Sequence, residues 1–358
     1  MSTVIVRCVF LVAVVLSLLA GIAGGLLRAG VRLPEQVHGA WLGQAVISHA
    51  FLMICAFMGT LIGIERAVAV KQRICFATPL ASAAAGLLVL AGSPNAAAWL
   101  AVMAALAFIA VNVLVLVRQR AAHTALLLIG AVAWLVGNLL FASNAQLAAA
   151  AVPWWFSFLV LTIAAERLEM TRLMRRRQGA SPALFAIVAA MLLGSAVFAV
   201  SARGGVLYGA SLVALAAWLL CFDIARRTVM ARGLSRYMAI CLLLGYVWLA
   251  VAGIGWVAIS MGQPCRDVAL HALGLGFVFS MMLGHAPVIM PALARVKLLF
   301  GWMFYLPLVL LHASLMARLL PCPVELQLLA TGAAGNALAI LLFMATVAGS
   351  AIAWRTKR

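Results

Sequence analysis

The sequence predicts an all-α membrane bundle of about twelve transmembrane helices, and three observations carry that reading. Of 358 residues, 67% are hydrophobic and 9% charged, against roughly half and about a quarter in soluble domains. The apolar residues gather into runs near the ~20 residues a helix needs to cross the hydrocarbon layer. The charges, 25 basic and 7 acidic, stand between those runs, as topology signals do. Disorder is excluded, since it needs few apolar residues and many charges. Nucleic acid is no expected partner, because the net charge of +18 is scattered over short connections and builds no phosphate-tracking face.

Twelve runs are expected, at 4–28, 41–65, 75–92, 96–117, 123–146, 150–167, 183–202, 205–225, 236–261, 267–291, 299–319 and 325–354. Each is read as a helix, because a lipid-exposed segment must satisfy its own backbone hydrogen bonds. Barrel strands are shorter and alternate in polarity. Twelve spans take about 240 residues, so residues 1–358 form a single integral membrane domain with no soluble catalytic unit. The first run reads as a retained span, because the small residues at Ala20–Ala23 make a poor cleavage site.

Basic residues set the orientation. Arg7, Arg66, Lys71, Arg73, Arg118, Arg120, Arg167, Arg172, Arg175, Arg176, Arg177, Arg226, Arg227, Arg232, Arg236, Arg295, Lys297, Arg355, Lys357 and Arg358 fall on one side, and Arg28, Arg32, Arg203, Arg266 and Arg318 on the other. Twenty against five places both termini in the cytoplasm. Trp41, Trp99, Trp154, Trp155 and Trp256 fit interfacial anchors at outer helix ends. Pro94, Pro153, Pro182, Pro264, Pro321 and Pro323 read as connection residues, whereas Pro287, Pro291 and Pro307 should bend helices ten and eleven. Ile64-Glu65-Arg66-Ala67 and Ala165-Glu166-Arg167-Leu168 end helices two and six; they mark either a four-helix pseudo-repeat or two instances of the same basic edge.

Cys8, Cys55, Cys75, Cys221 and Cys241 lie in or at the ends of apolar runs and read as small core residues. Cys265 and Cys322 fall in short outer connections bracketing helices ten and eleven, and a Cys265–Cys322 disulfide is expected in an oxidising compartment. All seven acids map to span ends or loops, which counts against an ion-coupled transporter. No phosphate loop, HExxH pair, serine–histidine–acid set or CxxCH sequence is present.

Six histidines remain. His38 and His123 read as solvated edge residues, whereas His49, His271, His285 and His312 lie inside spans, where an ionisable side chain is a functional candidate. At ~1.5 Å per residue, His49 lies about 12 Å, His271 about 6 Å and His312 roughly 10 Å below the outer face. Imidazoles converging in one layer can hold haem iron, copper or zinc; alternatively, each braces a neighbouring helix. His271 and His285 are fourteen residues apart, close to four α-helical turns, which predicts a shared face also carrying Leu275, Val278 and Met282. Gly274, Gly276 and Gly284 would keep the adjacent surface low for a flat macrocycle. Gly63 stands fourteen after His49, so a second bis-histidine haem between helices two and ten is not expected. Met281 and Met282 read as packing residues.

His271-Ala272-Leu273-Gly274-Leu275-Gly276, followed by Leu283-Gly284-His285, resembles the NnrS family of twelve-helix haem- and copper-containing membrane proteins. That family is linked to bacterial nitric oxide responses. The layout is also similar to the haem–copper oxidase catalytic subunit, whose low-spin haem is held from helices two and ten; His49 and His271 would match. The chain departs from the oxidases in lacking histidines on helices six and seven. It departs from NnrS in the single histidine of helix two, unless His38 supplies another. The resemblance implies a bacterial inner-membrane protein with haem held by His49 and His271. His312 and His285 would be further metal ligands or gas-pocket residues, with copper a second expected metal. Electron transfer or nitric oxide handling is the implied role. Arg266 and Arg318 would pair with the haem propionates, a task that suits the guanidinium fork. The competing expectations are a cofactor-free twelve-helix transporter and a regulatory or assembly protein.

Overall fold

The computed structural model describes residues 3–35, 39–143, 147–171, 178–294, 297–320 and 325–356. Among these no strand occurs, and twelve helices are long and apolar enough to cross a membrane. They are numbered here in chain order: α1 Phe10–Arg28, α2 His49–Val70, α3 Arg73–Leu90, α4 Pro94–Arg118, α5 Ala122–Ser143, α6 Ala148–Met170, α7 Ala180–Phe198, α8 Gly204–Phe222, α9 Leu234–Ser260, α10 Arg266–Met290, α11 Trp302–Leu319 and α12 Leu326–Thr356. The apolar runs locate all twelve. The largest departure is at the second. A short helix, Ala40–Ile47, ends at Ser48, whose φ of −98° and ψ of 20° break the regular backbone, and the chain restarts at His49.

Two spans are not uniformly α-helical. Leu52–Met58 of α2 and Ala272–Phe279 of α10 are π-helical. The i→i+5 bonding of such segments widens the backbone and is often found at functional sites. Each π segment follows a histidine closely: His49 in α2 and His271 in α10.

The chain forms two compact units, Met1–Ala165 and Glu166–Arg358. In the first, α3, α4 and α5 pack in sequence and α1 lies against α2 and α3. Asn138 is the polar pin of this unit. It is fully buried; its amide donates to Ala101 O at 2.8 Å, and its carbonyl accepts from Trp155 Nε1 at 2.8 Å and Cys55 Sγ at 3.3 Å. One side chain thereby joins α2, α4, α5 and α6. Trp134, stacked on Phe158 at 4.8 Å with Phe108 edge-on, fills the same interior. Asn138→Leu leaves a buried indole N–H without its acceptor. A stability loss of about 1–3 kcal/mol is expected, read as a lower melting temperature in detergent; an unchanged melt would mean these bonds carry no net stability.

In the second unit, α8 packs against both α7 and α9, α9 against α10, and α11 against α12. Gly209 and Gly253 let the α8 and α9 backbones touch, since a Cβ on either would overlap the other's carbonyl oxygen; small residues allow such approach between membrane helices. Gly332 and Gly335 do the same for α12 against Arg318 and Ser314 of α11. Several edge residues behave differently from expectation. Trp155 and Trp256 are buried, the latter between Phe198 and Tyr208, because each finds polar or aromatic partners inside the protein. His123 is buried as well. Pro153 lies within α6 and Pro94 begins α4, where a missing N–H costs least. Pro321, Pro323 and His38 lie outside the described residues.

Candidate functional site

Three polar clusters are built on α10, all inside the second unit. The first begins at Asp267, one turn before His271. The Asp267 carboxylate holds His271 through Nδ1–Oδ1 at 2.7 Å, the i,i+4 geometry that brings two side chains onto one helical face. A carboxylate accepts only, so His271 Nδ1 carries the proton and Nε2 the lone pair. Arg318 of α11 grips the same carboxylate with both arms of its fork, Nε to Oδ2 and Nη2 to Oδ1, each at 2.8 Å. Its Nη2 also lies 3.2 Å from both ring nitrogens of His271. With the proton on Nδ1, it is Nε2 that can accept from the guanidinium. Arg318 is 6% exposed, and Gly332 gives α12 the room to cover its backbone.

The second cluster joins α9, α10 and α11. Trp248 Nε1 donates to His312 Nδ1 at 2.8 Å, and His312 Nε2 lies 3.4 Å from Ser280 Oγ. Ser280 in turn donates to Gly276 O at 2.6 Å. Indole is a donor only, so the His312 Nδ1 lone pair is consumed and the proton sits on Nε2. The Trp248 ring fills the space over Gly276, and Cys241 of α9 packs on Gly284. These two glycines therefore form a seam with α9, which corrects the expectation of a low surface for a macrocycle there.

The third cluster lies further along α10. His285 Nδ1 donates to Met281 O at 2.6 Å, and Nε2 accepts from Arg167 Nη2 at 2.8 Å. Arg167 is buried, and its Nε has no hydrogen-bond partner among the described residues. Tyr246 of α9 donates to Asp223 Oδ2, and Asp223 Oδ1 accepts from Ala225 N at 3.3 Å. Asp223 is thus a buried carboxylate just past α8, which the apolar pattern presents only as a span end.

Counted as α-helix, His271 and His285 would share a face. The π segment between them corrects this: with i→i+5 bonding each residue turns through roughly 15–20° less than in α-helix, so Ala272–Phe279 accumulates on the order of a third of a turn. His271 accordingly meets Arg318, and His285 meets Arg167.

His49 belongs to the first unit. Its Nδ1 lies 2.7 Å from Gly21 O, so Nδ1 donates, and Gly25 of α1 leaves the space that the ring occupies. The four histidines differ in how their two ring nitrogens are occupied. In His285 and His312 a protein donor takes a ring lone pair, and Arg318 Nη2 reaches the Nε2 of His271 at 3.2 Å. In His49, His271 and His285 the protein holds Nδ1–H with an acceptor, as the outer shell of a metal-binding histidine does.

The arginines also divide. Arg266 is exposed, while Arg318 already has its carboxylate in Asp267. Among the described residues no group of three or more His, Cys, Asp or Glu side chains is arranged to hold a metal ion, so no copper site of that size is assembled there. Cys265, two residues before Asp267, is disulfide-bonded, and its expected partner Cys322 lies outside the described residues. Cys55, Cys75, Cys221 and Cys241 are free. Alkylation of the denatured chain is expected to label seven cysteines after reduction and two fewer before it; equal labelling would show that the bond does not form in the cell.

Asp267, Trp248, Ser280 and Arg167 are absent from the sequence-derived set. Asp267 had a readable signal in its four-residue offset from His271, whereas Arg167 is masked by its resemblance to a topology charge.

These features define a class: a protein whose described residues are all-helical, with twelve helices among them suited to crossing a membrane and polar clusters set inside them. The chain belongs to a family described as a domain of unknown function, DUF8744, which matches residues 7–352. No curated protein and no solved structure matches it.

Proposed function

We propose that the chain is a multi-pass bacterial inner-membrane haem protein with both termini cytoplasmic. In this reading His49 and His271 supply the axial imidazoles, and the protein serves electron transfer or a nitric oxide response. The observation that carries it is what these two histidines share. His49 and His271 both have Nδ1–H held by an acceptor, a carbonyl for one and a carboxylate for the other, and both, unlike His285 and His312, are followed closely by a π segment. The likeness of 271–276 and 283–285 to NnrS supports the same pair. The donor chemistry fits haem iron, which two neutral imidazoles hold well; when bound, haem supplies one-electron and gas-ligand chemistry. The protein's own residues fix the tautomer of each imidazole. Arg266 remains for a propionate, while Arg318 serves the imidazole through Asp267. Copper, if present, would need ligands beyond His285 and His312 as they now stand. The absorption spectrum of the purified protein tests this. A Soret band supports it, and a colourless, metal-free preparation that takes up no added haem overturns it in favour of a cofactor-free transporter or an assembly protein.

A further inference from the structure

The guanidinium edge with which Arg318 holds Asp267 is half empty on Arg167, and from this we propose that Arg167 and His285 bind a small planar oxyanion together with one proton. Both residues belong to the second unit, and a haem elsewhere in the protein is not needed.

In a guanidinium, Nε–H and one N–H of Nη2 point the same way and form a two-pronged edge. In Arg318 that edge is filled by the Asp267 carboxylate, Nε to Oδ2 and Nη2 to Oδ1, each at 2.8 Å. In Arg167 the same Nη2 donates to His285 Nε2 at 2.8 Å, and Nε has no hydrogen-bond partner among the described residues. Arg167 is 5% exposed, and a buried N–H left unbonded is costly. A carboxylate or a nitrate, with two oxygens in one plane, would complete the edge as Asp267 completes that of Arg318.

Charge decides what must enter with the anion. Two opposite charges act on His285, Arg167 from α6 and Asp223 from just past α8. Asp223 is buried, with its oxygens on Tyr246 and Ala225 N. From α9, Cys241 packs on Gly284 and Tyr246 keeps its proton toward Asp223, so both are uncharged. The cluster is therefore neutral, and an anion added alone would leave it with a buried net charge. A proton taken from solvent by His285 Nε2 removes that charge. The lone pair is freed in the same event, because the Nη2–H of Arg167 turns from the imidazole to the anion. The new Nε2–H then donates to the oxygen that Nη2 also holds, while Nδ1–H stays on Met281 O. Arg226 and Arg227, exposed three and four residues past Asp223, would raise the local concentration of anions.

The test uses the purified full-length protein in detergent, with sodium acetate, sodium nitrate or sodium chloride as the probe at equal ionic strength. Thermal unfolding between about pH 5.5 and 7.5 reads binding, and a pH electrode in weakly buffered solution reads proton uptake. Acetate or nitrate is expected to raise the melting temperature above that in chloride. The apparent Kd should grow about tenfold for each pH unit above the His285 pKa, with about one proton taken up per anion. Nitrate stays ionised throughout this range, so uptake with nitrate belongs to the protein. Preference between acetate and nitrate names the oxyanion within the class. His285→Gln is expected to lose both the uptake and the pH dependence. Arg167→Lys, which keeps the charge and loses the edge, should bind at least ~10-fold more weakly. Equal melting in all three salts overturns the proposal, as does binding without proton uptake. Uptake that persists in His285→Gln, or undiminished binding by Arg167→Lys, overturns it too. Should either variant not fold, the uptake by the wild type decides.

Discussion

On the proposed haem reading, His271→Ala is expected to purify with almost no haem, while His285→Ala and His312→Ala retain it. The three side chains are equally unusual as intramembrane imidazoles, so their rarity alone forecasts similar effects. Their hydrogen bonds forecast otherwise. His312 accepts from Trp248 and His285 from Arg167, each through the nitrogen a metal would use. Freeing that nitrogen would strand a buried indole or guanidinium N–H, a penalty of about 1–3 kcal/mol. At His271 the conflict is smaller, because Arg318 Nη2, 3.2 Å from its Nε2, keeps its bond to Asp267 Oδ1 when that lone pair is given up. Loss of a direct ligand should exceed the ~10- to 100-fold typical of an outer-shell change. The ratio of Soret to protein absorbance after purification reads it. Similar ratios in all three variants would mean that hydrogen-bond direction does not sort these residues.

The largest stability effect is expected from Asp267→Leu, at about 3–5 kcal/mol, because it leaves the Arg318 guanidinium buried without its carboxylate. The reverse change, Arg318→Met, should cost less. The Asp267 side chain keeps 24% of its surface exposed, so water can screen the stranded charge. Asp267→Leu combined with Arg318→Met should recover most of the loss, since an apolar pair of similar volume often replaces a buried ion pair at little cost. Thermal unfolding of haem-free protein in detergent separates this from any effect of ligand binding. If Asp267→Leu melts with the wild type, the pair is not desolvated and the grip of α11 on α10 is weaker than its geometry implies.

The spans were legible because hydrocarbon imposes one length and one backbone solution. The single helix expected over 41–65 is the instructive exception: nothing in its apolarity marks Ser48 as a break. The π segments were equally invisible, because widening the ladder changes bonding partners and leaves hydropathy as it was. That is why a fourteen-residue spacing misassigned the faces of His271 and His285. Of the site, the four histidines were legible from their cost in a membrane. Their directions were not, because Trp248, Arg167 and Gly21 are remote in sequence from the imidazoles they meet. Charged residues near span ends were the other blind spot: Arg318 and Arg167 count toward orientation, yet both are buried and occupied.

The wide-pitched stretch at Ala272–Phe279 also has a meaning for how this chain can change. It works as a phase shifter, rotating everything downstream relative to everything upstream. Loss of a single residue from it, with the ladder closing to i→i−4, would remove the accumulated lag together with one α-helical step of about 100°. His285 would then stay aimed within about 20° of where it now points. A deletion that leaves the segment π-helical would instead swing His285 off Arg167 by a full step, so the length of this stretch and its ladder must change together.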